Sequence, residues 1–225
     1  MAYPQAPWTL RGYALQTLQF IDIERSHPFI PPELDIISIL PGKTLGGVYV
    51  SHYGSGSVLE YSELIVVGGL VRYSGKIGGW VSHIYVDNAD SVAGGREIWG
   101  LPKEMAEFTW EKNVSTTAPE HRVTVRQGDR VLCSLSYSQP SFGLPLPFQG
   151  NVLSTLGTSI LRFQGKFEAN TGLVRSKLTI PTESPFVRLG LDQPWITAYC
   201  DRLHLIANAP DVVGQRETAF STVEI

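Results

Sequence analysis

Residues 161–180, LRFQGKFEANTGLVRSKLTI, carry the pattern that decides the fold class. Leu161, Phe163 and Phe167 occupy odd-numbered positions that share one face of a strand, and Arg162, Gln164 and Lys166 occupy the opposite face. The segment Asn170-Thr171-Gly172 contains turn-forming residues, and apolar and polar residues alternate again after it. Alternation with a period of two places the apolar side chains on one face of a strand. The stretch therefore predicts an antiparallel hairpin with one buried face and one face in water.

The same alternation extends outward along the chain. It recurs in residues 48–53 and 122–126, and Gln127-Gly128-Asp129 provides a turn before another alternating segment. Glycine and proline number 22 and 15 of 225 residues, and only 17% of the residues are charged, which is typical of a turn-rich β protein. We expect a mainly β fold, an antiparallel, closed or nearly closed β-barrel, formed by a single domain over residues 1–225.

One short helix is predicted, at about residues 89–99. Asn88 can cap its N-terminus, Gly100 suits the left-handed residue that follows a helix, and Pro102 prevents continuation. The pair Gly94-Gly95 lowers helix propensity by ~1 kcal/mol per residue relative to alanine. We therefore expect this helix to approach a sheet closely, where larger side chains would not fit.

Charge and hydropathy exclude several classes of protein. The net charge is −3, and lysine and arginine never form a run of five, so no nucleic-acid partner is predicted. No stretch approaches the ~18 apolar residues that a membrane span needs. The first residues lack the apolar segment of a secretory signal, so we expect a cytoplasmic protein. No phosphate-binding, dinucleotide-binding or metal-binding motif occurs, and we predict neither a cofactor nor a metal ion.

Residues 94–103, GGREIWGLPK, form the one stretch with a chemical pattern. Gly100 and Pro102 give the chain a fixed exit from the helix, so Lys103 starts the next strand from a well-determined position. Desolvation disfavours the charged form of an amine, and a neutral lysine can form a Schiff base with a carbonyl compound. A lysine after a proline is more often a surface residue, and the residues alone leave both readings open.

This stretch resembles the signature G-R-E-[IL]-W-G-x-P-K of the acetoacetate decarboxylase superfamily, in which an activated lysine is well known. The similarity runs in order from about Leu10 to Ile206 and is dense only from Tyr61 to Phe108. It implies that Lys103 takes the place of the Schiff-base lysine and that Glu63, in Tyr61-Ser62-Glu63, lies in the pocket. It also implies a mostly antiparallel β-barrel with a dry interior, usually assembled into homo-oligomers.

The sequence departs from this family at several positions. Acetoacetate decarboxylases carry two adjacent lysines where this chain has Lys103-Glu104, although neighbours in a strand point to opposite faces. A pocket arginine of the family is matched by Thr17, and a second pocket glutamate is matched by Val48. Arg25 can replace that arginine only if the early strand is shifted. Without a pocket cation, the carboxylate of a β-keto acid lacks its obvious partner.

The remaining predicted site residues have two kinds of role. Trp99 and Met105 are predicted to line the core or the pocket, and with Arg25, Thr17 and Val48 they complete the candidate substrate-binding set. A structural role is predicted for the other signature positions, which are Gly95, Arg96, Glu97, Gly100 and Pro102. We expect Arg96 to be buried against backbone carbonyls or a carboxylate.

A second branch of the superfamily matches the early part of the chain better. The segments that carry this similarity are Pro7-Trp8, Gly12 to Leu15, Phe29 to Pro31, Thr44 to Gly47 and Glu63-Leu64. They resemble decarboxylase-like proteins of photosynthetic organisms, a branch that includes a plant protein required for neoxanthin accumulation.

Two functions follow from these resemblances. In the first, Lys103 forms a Schiff base with a keto acid or carbonyl compound other than acetoacetate, and Glu63 moves the proton. Decarboxylation, retro-aldol cleavage or dehydration can follow, which places the protein among the lyases. In the second, the barrel interior binds an apolar small molecule such as a carotenoid without catalysis, and Lys103 only pairs with Glu63. Both predict a small-molecule ligand and a homo-oligomer.

Overall fold

The computed structural model describes residues 3–112, 120–138 and 142–216. Within these residues the chain is mainly β, as predicted, with fourteen strands and two short α-helices. In chain order the elements are β1 (Trp8–Asp22), α1 (Ile23–Ser26), β2 (Asp35–Ile36), β3 (Lys43–Tyr53), β4 (Tyr61–Tyr73), β5 (Lys76–Val86), α2 (Ala89–Trp99), β6 (Lys103–Met105), β7 (Glu107–Glu111), β8 (His121–Gln127), β9 (Arg130–Tyr137), β10 (Leu144–Leu156), β11 (Ser159–Leu173), β12 (Ser176–Thr179), β13 (Ile196–Ala207) and β14 (Asp211–Gln215).

The strands form two sheets. The larger sheet has the order β2-β4-β3-β1-β13-β11-β10-β5-β6, with β14 beside β11, and the smaller has the order β12-β9-β8-β7. Because β4 pairs with both β3 and β5, the pairings of the larger sheet run in a ring that returns to β4. Most pairs are antiparallel, but β5 pairs in parallel with β6 and β10. Closure of this ring into a barrel stays a prediction.

The predicted hairpin at residues 161–180 is wrong. Strand β11 continues through Asn170-Thr171-Gly172, and its partners are β10 and β13. The turn-forming residues lie just after a register shift in the β11–β13 pairing, where the strand is held by neighbours on both sides. Strand β12 instead joins β9 in the smaller sheet. Sheet pairing with distant strands therefore overrides the local turn propensity. The other predicted hairpin, β8–β9, is confirmed, with Gly128 at φ +59° in its turn.

The predicted helix is confirmed as α2. The Asn88 side chain accepts a hydrogen bond from the Ser91 backbone N–H at 3.0 Å, and Gly100 follows the helix with φ +61°. The close approach is also present, because a Cβ on Gly94 would lie 2.5 Å from the Trp8 ring. Helix α1, which has only four residues, was not predicted from the sequence. Neither helix in the described part of the chain is long enough to cross a membrane.

We expect Asn88→Ala to destabilise the protein by about 1 kcal/mol, because the substitution removes the side-chain acceptor at the start of α2. Urea denaturation of the variant measures this change. Asn88→Asp keeps an acceptor at the same place and serves as the control. Equal losses from both substitutions would contradict a capping role.

The main core lies between the two sheets. Val48 and Leu64 from the larger sheet pack with Val123 and Leu132 from the smaller one, and all four are fully buried. Because side chains alternate along a strand, the neighbours of these core residues in β3 and β4 point to the other side of the larger sheet. That other side faces the interior of the ring, where the candidate site lies.

Strand β10 has one free edge near its beginning. Among the described residues, Leu144 to Gly150 pair only with β11, and the pairing with β5 begins at Val152. Pro145 and Pro147 lie in this part of the strand. Proline has no backbone N–H, so it is tolerated at strand positions where the N–H group would point away from the paired strand. The free edge of β10 therefore lacks hydrogen-bond donors at these two positions.

Candidate active site

A cavity of about 310 Å³ lies inside the ring of strands. Its volume is near the lower end of the ~300–1,000 Å³ usual for small-molecule sites. Apolar and aromatic side chains dominate its walls, among them Trp8, Leu10, Ile65, Val81, Ile84, Trp99, Leu101, Phe148, Val152, Phe163, Phe167 and Leu205.

The side chains of Lys103 and Glu63 meet in the wall of this cavity. Lys103 Nζ lies 2.7 Å from Glu63 Oε1, and the two side chains are only 4% and 5% exposed. The same ammonium group donates a second hydrogen bond to Ser91 Oγ in α2, at 2.9 Å. The reading of Lys103 as a surface residue is therefore wrong, and the sequence-predicted pair lies together in an apolar pocket.

The backbone of Lys103 is fixed from two sides. Strand β6 pairs in parallel with β5, with Lys103 opposite Ile84. Arg96 Nε, in the last turn of α2, donates to the Lys103 carbonyl oxygen at 2.7 Å. The next residue, Glu104, is exposed, as expected for the opposite face of a strand. Helix and strand together hold the lysine at one point of the wall.

Gly95 makes room for the Lys103 side chain. A Cβ built on Gly95 would lie 2.4 Å from Lys103 Cδ and 2.7 Å from Cε, far closer than atoms in contact approach. The lysine stem therefore crosses α2 where the helix has no side chain. This contact explains why a glycine occurs at a position where it weakens the helix.

Three buried tyrosines surround the carboxylate. Tyr53 donates to Glu63 Oε2 at 3.3 Å, the hydroxyls of Tyr49 and Tyr53 are 3.1 Å apart, and the Tyr61 ring centre lies 5.0 Å from Lys103 Nζ. Burial raises the pKa of Tyr53 and Tyr61 well above the ordinary tyrosine value, and the charge of Glu63 adds to the effect. These phenols therefore keep their protons at neutral pH, and Tyr53 acts as a donor to the carboxylate.

Of the predicted substrate-binding residues, Trp99 lines the cavity and four do not. Thr17 and Val48 are fully buried but bond to each other, since the Thr17 hydroxyl contacts both the N–H and the C=O of Val48. The Arg25 side chain is 57% exposed beside Asp22, and Met105 is 47% exposed. These four residues therefore lie outside the cavity, contrary to their predicted place in the ligand site.

Sequence reasoning missed Gln16 and Tyr49, which line the cavity next to Thr17 and Val48. They pair with each other across β1 and β3. A shift of one residue moves a side chain to the other face of a sheet, so the matched positions fell on the core face. The alternation in residues 48–53 contained the required signal, since Tyr49 shares its face with Tyr53.

The other signature residues have contacts that hold α2 in place. Glu97 accepts a hydrogen bond from the Tyr3 hydroxyl, and a Cβ on Gly100 would lie 2.3 Å from the Thr155 carbonyl oxygen. Arg96 is exposed, so its predicted burial is wrong, although its predicted bond to a backbone carbonyl is present. Pro102 is also exposed.

The sequence has recognisable relatives. A family model for acetoacetate decarboxylase matches residues 15–189. The NEOXANTHIN-DEFICIENT 1 protein of Solanum lycopersicum is 29% identical over 122 residues, which cover 54% of this chain and 41% of the relative. An acetoacetate decarboxylase of Burkholderia vietnamiensis is 32% identical over 114 residues, covering 50% and 44%. The matched segments thus span less than half the length of these relatives.

Solved structures show the same fold. Acetoacetate decarboxylase from Legionella pneumophila superposes with a TM-score of 0.73 at 16% identity, covering 96% of this chain and 90% of the other. The enduracididine biosynthesis enzyme MppR, complexed with pyruvate, superposes with a TM-score of 0.66 at 13% identity, covering 95% and 93%. With the family match over most of the chain, the chain belongs to the acetoacetate decarboxylase family and is similar to its plant NEOXANTHIN-DEFICIENT 1 branch.

Proposed function

We propose that this protein is a lyase in which Lys103 forms a Schiff base with a keto acid or carbonyl compound other than acetoacetate. One observation carries the proposal: the amine of Lys103 lies 2.7 Å from the carboxylate of Glu63, in the wall of an apolar cavity. A lysine in such surroundings can act as a nucleophile, and a carboxylate at this distance can exchange a proton with it. We also propose that residues 1–225 form a single domain.

The first step is a proton transfer from Lys103 to Glu63. In an apolar cavity, a neutral amine beside a carboxylic acid has the same net charge as the ion pair, without the cost of two buried charges. The neutral amine attacks the carbonyl carbon and forms a C–N bond. Loss of the former carbonyl oxygen as water, with a proton from Glu63, leaves a cationic iminium group beside the restored carboxylate.

The iminium group then draws electrons from the neighbouring bonds. Carbon dioxide loss and retro-aldol cleavage each deliver an electron pair to it and give an enamine. In dehydration, Glu63 takes a proton from Cα to form the enamine, which then expels the β-hydroxyl group as water and becomes an unsaturated iminium group. Glu63 remains within reach to accept or return the proton. Tyr53 holds the carboxylate through its hydrogen bond to Oε2, while Ser91 holds the amine before reaction.

Reduction with borohydride in the presence of carbonyl compounds tests this function. We expect peptide mass spectrometry to find the reduced substrate covalently attached to Lys103 after incubation with a panel of keto acids, ketones and enals at neutral pH. The absence of an adduct with every member of the panel would reject the proposal.

Gly95→Ala is expected to reduce this trapping about a hundredfold, because the added methyl group displaces the lysine from its position against Glu63. Extra volume in a packed site also costs about 1–3 kcal/mol, which exceeds the gain in helix propensity. Trapping rates and urea denaturation measure the two effects. Ala93→Gly is the control, since it weakens the same helix without approaching the lysine, and comparable trapping losses in both variants would contradict the steric explanation.

The second candidate is non-catalytic binding of an apolar molecule such as a carotenoid. The apolar walls favour it, as does the similarity to proteins named for neoxanthin deficiency. A cavity of about 310 Å³ can enclose only part of a carotenoid, so the rest of the molecule would extend through the mouth. Copurification of a pigment, or a rise in melting temperature with added carotenoid, is the expected result. Failure of both measurements would remove this candidate.

We also propose that the protein is a homo-oligomer in the cytoplasm. Exposed apolar side chains on β10, such as Leu144 and Leu146, support self-association, because monomers rarely expose contiguous apolar surface. Analytical ultracentrifugation is expected to find a mass that is a multiple of 24.8 kDa. A single species at 24.8 kDa would contradict the proposal.

A further inference from the structure

We infer that the site takes an uncharged aldehyde or ketone with an apolar body, and that it excludes carbonyl compounds that carry a carboxylate. This inference rests on the proposed Schiff-base function and narrows its substrate class. It follows from the charges and hydrogen bonds of the cavity wall.

The wall contains no surplus positive charge. Among the described residues that line the cavity, Lys103 is the only basic residue and Glu63 the only acidic one. Their charges cancel in the resting pair and again when an iminium group faces the carboxylate. A bound carboxylate would therefore leave one negative charge without a partner in an apolar cavity, and burying an unpaired charge is strongly unfavourable.

Three hydrogen-bond donors of the wall are already bonded to the protein. The indole N–H of Trp8 donates to the Pro4 carbonyl at 2.9 Å, and that of Trp99 donates to the Asn208 carbonyl at 2.8 Å. The Gln16 amide donates to the Thr17 carbonyl at 2.7 Å. These donors point away from a ligand, so they cannot replace the cation that a carboxylate needs.

Arg162 lies next to the cavity but does not line it. It pairs with Leu153 and alternates with Phe163, which lines the cavity, so its side chain lies on the opposite face of β11 from Phe163. Its Nη2 reaches the wall only through a hydrogen bond to Asn151 Oδ1, at 2.9 Å. Arg25 is also outside the cavity.

The reaction type follows from this substrate class. A substrate without a carboxylate cannot lose carbon dioxide, so the iminium group must act on a different bond. In a β-hydroxy aldehyde or ketone, Glu63 takes the hydroxyl proton, the Cα–Cβ bond breaks toward the iminium group, and an aldehyde leaves. The enamine then regains a proton at Cα, and water hydrolyses the iminium group to release the remaining aldehyde or ketone and restore the amine.

Levulinate and its methyl ester test the inference, because they share one ketone and the ester has an uncharged group in place of the carboxylate. With equal concentrations at pH 7 and borohydride reduction, we expect at least about tenfold more Lys103 adduct from the ester than from levulinate. Equal labelling, or more labelling by levulinate, overturns the inference alone. No adduct with either compound also overturns the inference, and only the failure of the whole carbonyl panel removes the Schiff-base function as well.

A charge added to the wall provides the second test. Gln16→Arg places a cation in the cavity and is expected to raise levulinate labelling relative to the ester by about tenfold. Gln16→Leu is the matched control, which changes the same side chain without a charge and keeps the preference for the ester. An unchanged ratio in Gln16→Arg overturns the inference, because charge would then not decide between the two ligands.

Discussion

Borohydride trapping is expected to disappear when Lys103 is replaced by methionine, because methionine has the length of the lysine stem but no amine. The change is best made together with Glu63→Gln, since a lone buried carboxylate would destabilise the fold. The adduct mass at position 103 should fall below detection for every carbonyl compound that labels the natural chain. Mass spectrometry of the digested protein measures it.

Lys76→Met is the matched control for this experiment. Lys76 is exposed where the chain turns between β4 and β5, so its loss should leave the adduct at Lys103 unchanged. An adduct that persists in the Lys103 variant, on another lysine, would show that the wrong amine has been assigned. Loss of the adduct in both variants would point to a general effect on folding.

Glu63→Gln alone is expected to cost about 3–5 kcal/mol of unfolding free energy, because it leaves the buried Lys103 ammonium without its counter-charge. The remaining bond to Ser91 does not compensate for that charge. Adding Lys103→Met should restore most of the loss, since the double variant buries no charge at this point. Urea denaturation of the natural chain, both single variants and the double variant gives the coupling free energy of the pair.

The measured coupling free energy distinguishes a buried Lys103–Glu63 pair from one that is exposed to solvent. Two exposed charges at this distance would couple by only about 0–1 kcal/mol. A value in that range, or a double variant no more stable than Glu63→Gln, would contradict the burial of the pair. Trapping and stability together therefore test the reactivity and the environment of Lys103 independently.

Local features of the fold could be predicted from the sequence. Helix α2 begins and ends as predicted because its limits are set by neighbouring residues, Asn88 and Gly100. The β8–β9 hairpin has its turn in consecutive residues, which is also local. The supposed turn at 170–172 failed because the course of that strand depends on β10 and β13, which are distant in sequence.

The site was predictable only in part, for a related reason. The pairing of Lys103 with Glu63 came from family resemblance, since no local pattern brings β4 and β6 together. The least accurate part of the prediction was which face of its strand each residue occupies. A match displaced by one residue moves a side chain to the other face of a strand, and Thr17 and Val48 therefore lie on the core face, next to Gln16 and Tyr49 of the cavity wall.

The two prolines on the free edge of β10 bear on how the protein behaves when it is concentrated. Fibrils grow when one chain adds its backbone to an open row of donors and acceptors on another. Pro145 and Pro147 interrupt that row at alternate positions, so the edge cannot template a continuous ladder. This part of the β10 edge should consequently resist pairing with the backbone of another copy when the protein is concentrated.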